Sequence, residues 1–153
     1  MSLQSVRQFL AQYAPDIEII ELDQSTATVD LAAKAHNVEP GQIAKTLSLK
    51  VKNDIILVVA KGDARPDNKK LKSTFGTKAR MLSSDEVVNA TGHPVGGVCP
   101  FGLETPISVY CDVSLKHYAE VLPAAGAIHS AVRITPERMA ELTSATWVDV
   151  CQG

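Results

Sequence analysis

The sequence predicts a mixed α+β domain, and two patterns carry that expectation. Helical and strand periodicities follow one another irregularly, and two strand runs meet at Asn53-Asp54 with no helix between them. A two-residue link of this kind reads as an antiparallel hairpin, which a doubly wound parallel sheet would not contain. Size agrees: the chain has 153 residues, 45% apolar and 21% charged. A chain of about 150 residues can bury roughly 68–70% of its unfolded surface in one core. One domain spanning residues 1–153 is expected.

The elements follow in order. Leu3, Val6, Phe9, Leu10 and Tyr13 form one stripe of a helix over residues 3–13, which Pro15 stops. Ile17 to Leu22 reads as a short strand, and Ser25 and Thr26 precede an Ala-rich helix from about Thr28 to Asn37. Strands follow at Ile43 to Lys52 and Ile55 to Ala60. Asn68 to Phe75 is a short basic helix. Met81 to Thr91 holds another, with Ser83 or Ser84 as N-cap and Asp85-Glu86 in the first turn, where negative charge suits the helix dipole. Residues 92–106 contain four glycines and three prolines and read as loop. Strands are expected at Ile107 to Cys111, Val121 to Leu122 and Ile128 to Ile134. Thr135-Pro136-Glu137 starts a last helix, with Pro at its first position, ending near Leu142. Thr146 to Val150 closes as a strand.

Composition narrows the function. The longest wholly apolar run, Ile55 to Ala60, falls far below the ~20 residues that cross a bilayer. The first residues show no charged start followed by an apolar stretch, so no signal peptide and no membrane partner are expected. Three cysteines without a CxxC pair, Cys99, Cys111 and Cys151, argue against a disulfide framework or a zinc site. They suit a reducing cytoplasm. The four histidines show no metal-binding spacing, so neither metal nor cofactor is expected. Net charge is −2, which by itself weakens a nucleic-acid reading. Its distribution is uneven. Residues 61–80 hold seven basic residues against two acidic ones, a local +5, and the remainder carries −7. Within this strip Lys61, Arg65, Lys69, Lys70 and Lys72 are candidates for contacts to a phosphate backbone, against the alternative of a plain solvated face.

Three stretches could carry chemistry. In IAKTLSLKV, strand alternation puts Ile43, Lys45, Leu47, Leu49 and Val51 on one face. Ala44, Thr46, Ser48, Lys50 and Lys52 fall on the other, which is expected to face outward. Lys45 then points inward among aliphatic residues, where an unpaired ammonium costs several kcal/mol. It needs a carboxylate partner, or sits at a pocket mouth facing an anionic ligand, or snorkels out at the strand edge. The second stretch is the stiff loop Gly96-Gly97-Val98-Cys99-Pro100-Phe101-Gly102, which can aim main-chain groups at a ligand or be an ordinary turn. The third is AAGAIHSAVRI, where Gly126 breaks a strand and His129 follows among small neighbours, either at a pocket or as a structural histidine. Cys99 with His93 or His129 could form a nucleophilic pair. No third orienting residue is legible, and a buried apolar role competes.

Lys45 within IAKTL, the strip KGDARPDNKKLK, the helix ending in Thr91-Gly92, the loop Gly96 to Gly102, and Gly126 with His129 together resemble the YbaK / prolyl-tRNA-synthetase-associated editing-domain family. The likeness runs from about residue 20 to residue 147. It implies a barrel-like mixed sheet flanked by helices, and hydrolysis of the ester joining a noncognate amino acid to tRNA. Here the domain would be freestanding, with mischarged aminoacyl-tRNA as substrate and an aminoacyl-tRNA synthetase as a further partner. The family lysine corresponds to Lys45 and its GxxxP loop to Gly96, Gly97, Val98, Cys99 and Pro100. In the implied mechanism Lys45 anchors the terminal phosphate or ribose, and the loop holds the ester carbonyl. Thr26, Thr28, Thr46, Phe101, Gly126 and His129 are the candidate substrate-pocket residues. Two other functions stay open: a non-catalytic tRNA- or synthetase-binding module, and a small ester or thioester hydrolase acting through Cys99.

Overall fold

A computed structural model describes residues 2–152. Helix α1 (Ser2–Tyr13) leads through β1 (Ile20–Glu21) to α2 (Val29–His36). The Thr28 side chain caps α2 by accepting from the Leu31 N–H, and Asn37 ends it in the left-handed region, φ 57°. A 3-10 turn at Pro40–Gln42 feeds the hairpin β2 (Ile43–Val51) and β3 (Asp54–Lys61). Then come α3 (Asn68–Phe75), β4 (Ala79–Met81), α4 (Ser84–Thr91) and β5 (Ser108–Asp112). The chain continues through a 3-10 turn at Val113–His117 to β6 (Leu122–Pro123), β7 (Ser130–Ala131), α5 (Pro136–Thr143) and β8 (Thr146–Val148). Ser83 and Glu86 close a reciprocal capping box at the start of α4, and Thr135 caps α5 ahead of Pro136.

The fold class is mixed α+β, but among the described residues the sheet does not close into a barrel. Its order is β4-β2-β3-β5-β8, with β6 also pairing β2. The β2–β3 and β2–β4 pairs are antiparallel, and β3–β5, β5–β8 and β2–β6 are parallel. β1 and β7 form a separate two-stranded ribbon.

Both faces of the sheet are covered. On one, Ala44, Leu57, Val59 and Cys111 pack with Val6 and Leu10 of α1, Phe101, and Met139 of α5. On the other, Leu49, Val51, Ile56 and Val58 pack with Leu71 of α3 and with Val150. This corrects the expectation that Ala44, Thr46 and Ser48 face solvent. Ala44 and Ser48 are buried, because this face of β2 adjoins the larger core and the cavity described below.

Smaller differences have local causes. The hairpin turn lies at Lys52-Asn53, one residue earlier than expected: Val51 pairs with Asp54, and Lys52 takes φ 57°. Two buried faces fix the register, because a one-residue slip would exchange them. The strands expected at residues 17–22 and 128–134 shrink to two residues each, paired with one another through Ile20–Ala131 and Glu21–Ser130. β4 was not expected; its segment has no alternation, and Arg80 and Met81 are exposed.

Candidate functional site

β2 is paired with β3 from Ala44 to Val51, but on its other edge only at its ends. Ile43 and Ala44 meet β6, and Leu49 to Val51 meet β4. A cavity of about 280 Å³ opens in the gap between them. Its floor is Ala44, Lys45, Thr46 and Ser48. α2 contributes Ala32 and His36, α4 contributes Ser84 and Val87, and the glycine-proline loop contributes Val95, Gly96 and Val98. The volume lies just under the ~300–1,000 Å³ usual for small-molecule sites. It suits a short acyl group better than a whole nucleotide.

Two polar atoms on this wall have no hydrogen-bond partner among the described residues: Thr46 Oγ1 and His36 Nε2. Both are buried, and an unpaired buried polar atom costs about 1–3 kcal/mol. Burial, with the Arg133 charge as a lesser cause, pushes the His36 pKa below its usual value and favours the neutral imidazole. Thr26 and Thr28 also line the cavity, but their hydroxyls are committed. Thr26 donates to the Ile128 carbonyl at 3.0 Å, and Thr28 caps α2.

Lys45 is half-buried and has no carboxylate partner within ion-pair distance among the described residues. Its ammonium donates to the Ala64 carbonyl. Burial lowers its pKa, and the Arg65 charge adds to this; Cys151 and Asp63 act the other way. By alternation its side chain leaves β2 on the face that α3 covers, opposite Thr46. Lys45 therefore joins the cavity floor to the side of the sheet that carries the basic segment.

The loop is held by close packing. Gly96 has φ +91°, and a Cβ there would lie 2.9 Å from the Ala27 Cβ. A Cβ on Gly97 would lie 2.8 Å from the Ala127 nitrogen. The Gly97 N–H closes a turn onto the Pro94 carbonyl, and the Gly97 carbonyl accepts from Gly126 N–H. The Gly97 amide is therefore occupied, while Gly96 and Val98 face the cavity.

Other residues expected at the site lie elsewhere. The Cys99 side chain is fully buried, with its Sγ 3.7 Å from His93 Nε2. Burial pushes its pKa up to about 12, far from the thiolate a nucleophile needs. Phe101 packs in the core against Phe9. Pro100 borders a shallow groove with Leu103 and Thr146. Gly126, at φ +93°, packs on the start of α1, where a Cβ would meet the Ser2 backbone. His129 is partly exposed and 3.6 Å from Glu21, outside the cavity lining.

The basic segment is partly neutralised in space. Lys61 pairs with Asp63 at 3.3 Å, and Lys70 pairs with Asp149 at 3.0 Å. Arg80 forms two 3.0 Å bonds to Glu86. Arg65, Lys69 and Lys72 are exposed and make none of the side-chain ion pairs found among the described residues. Sequence distance hides Asp149 from Lys70. His36 and Ser48 were also missed as cavity residues. His36 shares the i, i+4 stripe of α2 with Ala32, which is the signal that could have found it.

The sequence model of the Aminoacyl-tRNA editing domain matches residues 23–142, which include β2, the loop and most of the cavity wall. This chain belongs to the aminoacyl-tRNA editing-domain family. The uncharacterized protein YwhH of Bacillus subtilis (strain 168) is 49% identical over 154 residues, covering 99% of this chain and 98% of YwhH. A proline--tRNA ligase of Bacillus licheniformis is 26% identical over 136 residues. That match covers 76% of this chain but only 23% of the ligase. Among solved structures, a candidate trans-editing enzyme for prolyl tRNA synthetase superposes with TM-score 0.91 at 33% identity, covering 99% of this chain and 98% of that one. Among the described residues no helix is long and apolar enough to cross a membrane.

Proposed function

We propose that this editing domain is a freestanding hydrolase that cleaves the ester of mischarged aminoacyl-tRNA in the cytoplasm. The observation that carries the reading is the cavity at the open edge of β2, with its unpaired Thr46 hydroxyl, in the segment matched to the editing family. In the reaction a water oxygen attacks the ester carbonyl carbon. The carbonyl-to-ribose C–O bond breaks, and the ribose oxygen leaves with a proton, giving free amino acid and tRNA. An ester with an adjacent ribose hydroxyl needs little chemical assistance. Positioning and stabilisation of the developing oxyanion are what the protein must supply.

Each residue has a part in this reading. The Lys45 ammonium holds the terminal phosphate or ribose; among the described residues it has no carboxylate partner, and exchanging a neutral carbonyl for a phosphate oxygen gains a charge-assisted bond. Gly96 and Val98 wall the acyl group, and Thr26, Thr28, Thr46 and His36 limit its size. Arg65, Lys69 and Lys72 meet the tRNA backbone, with Lys61 and Lys70 contributing less because each already has an acidic neighbour. The similarity to a segment of proline--tRNA ligase supports tRNA charged by that synthetase as the first substrate to try. A panel of mischarged tRNAs incubated with substoichiometric protein tests the proposal. Release of amino acid over several turnovers is expected from at least one of them. Binding without release from any would make the chain a carrier of tRNA instead.

A further inference from the structure

The unpaired edge of β2 has a definite hydrogen-bonding pattern. Successive residues of a strand turn their backbone N–H and C=O to opposite sides. From the β4 side, Leu82 N–H donates to the Ser48 carbonyl at 3.0 Å. Ser48 and Thr46 therefore turn their main-chain groups toward the open edge, and Lys45 and Leu47 turn theirs toward β3. Among the described residues the Thr46 N–H, the Thr46 C=O and the Ser48 N–H have no backbone partner on that edge. Thr46 and Ser48 also lie on the cavity floor, beside the unpaired Thr46 hydroxyl. Thr46 is half-buried and Ser48 is buried, and these open main-chain groups border the cavity, where a bound molecule can take the pairing that water otherwise supplies.

We infer that the aminoacyl group binds as a one-residue strand on this edge, its α-ammonium donating to the Thr46 carbonyl and its ester carbonyl accepting from the Thr46 N–H. The inference rests on the function proposed above and names how the substrate is held. Two residues directly opposed in an antiparallel ladder exchange both N–H···O=C bonds. An amino acid ester carries its amine and its carbonyl on one Cα, so a single residue completes the pair. Every α-amino acid presents these two groups, and an acyl group without an α-amine does not. The Thr46 N–H stays directed at the carbonyl oxygen as it becomes an oxyanion, which makes Thr46 a catalytic residue through its main chain. Side-chain discrimination then falls to the cavity walls.

Amide hydrogen exchange on the full chain tests this. The probe is 3′-deoxy-3′-(L-alanylamido)adenosine, an amide in place of the ester, and the comparison is its propionyl counterpart, which lacks the α-amine. In the free protein the Thr46 and Ser48 amides should exchange at least about tenfold faster than those of Lys45 and Leu47, which face β3. The alanyl probe should slow Thr46 at least about tenfold, and the propionyl compound should bind about tenfold or more weakly, the loss of one charged hydrogen bond. A Thr46 amide already as protected as Lys45, or equal affinity for the two compounds, overturns the inference. If the same preparation deacylates a mischarged tRNA while the alanyl probe leaves Thr46 exchange unchanged, this inference alone fails. If it deacylates none and the probe does not bind, the proposed function fails and this inference with it.

Discussion

Replacing Lys45 with Met separates a functional ammonium from a structural one. The substitution keeps most of the aliphatic stem and removes the charge. Among the described residues that charge donates to one neutral acceptor, the Ala64 carbonyl, and burial is the main cause of its lowered pKa. A hydrogen bond to a charged group contributes about 1.5–3 kcal/mol, and desolvation opposes it. The two nearly cancel, so Lys45→Met should change folding stability by no more than about 1 kcal/mol. In the proposed complex the same ammonium meets a phosphate or ribose oxygen, and losing that contact would cost about 1.5–3 kcal/mol. At about 1.4 kcal/mol per decade this lowers kcat/KM for deacylation roughly 10- to 150-fold. The assay pairs deacylation of a mischarged tRNA with urea unfolding of the same preparations. Full activity in Lys45→Met would remove the lysine from the mechanism, and a stability loss of several kcal/mol would make it a structural residue. The pH dependence carries the same signature. With the folded pKa below 10.5, the unfolded chain binds more protons between the two values. Wild-type stability should therefore rise relative to Lys45→Met as pH climbs through that window toward 10.5. A difference independent of pH would contradict the burial of the charge.

Three further outcomes are expected. Cys99→Ala should still deacylate, and iodoacetamide should leave Cys99 unmodified in the native protein, since its thiol is buried and pushed up to about 12; inactivity of the variant would restore a thiol mechanism. Gly96→Ala forces a side chain into φ +91° against Ala27; it should cost about 1–3 kcal/mol in urea unfolding and reduce deacylation, and an unchanged midpoint would show that the loop is not held as described. Lys69→Ala with Lys72→Ala should flatten the log–log salt dependence of tRNA binding by about 1.8 for two lost phosphate contacts. Lys70→Ala should change it less, because Lys70 is tied to Asp149; an unaltered slope in the double variant would place tRNA on another face.

How much of this was legible in the sequence depends on how local each cause is. Helix ends were readable because their caps lie within three residues: Thr28, Ser83 and Thr135 each begin a helix. Asn68–Phe75 came out with its expected bounds, since Asp67 caps it and Gly76 ends it. The faces of β2 were not readable, because polar residues such as Thr46 and Ser48 look solvent-facing until α2, α4 and the loop are known to close over them. β1 and β7 exist only through each other, 111 residues apart at Ile20 and Ala131, so neither run shows its length locally. At the site, Lys45, Gly96 and Val98 stood out by their place in the pattern, Thr46 only as the neighbour of Lys45, and the four share one cavity. Gly97, by contrast, is a packing glycine, and Cys99 and Phe101 turn to the core, because alternate residues of a buried loop face opposite ways. The open edge of β2 carries no residue signature at all: it is defined by where β6 stops and β4 begins.

A crystal structure with 3′-deoxy-3′-(L-alanylamido)adenosine bound tests the central claim most directly. The alanyl group should lie in the gap of β2 between Thr46 and Gly96, with the adenosine leading out toward Lys45. Density for the compound in the groove beside Pro100 and Thr146, or against Lys61 and His117, with the β2 cavity left vacant, would contradict it.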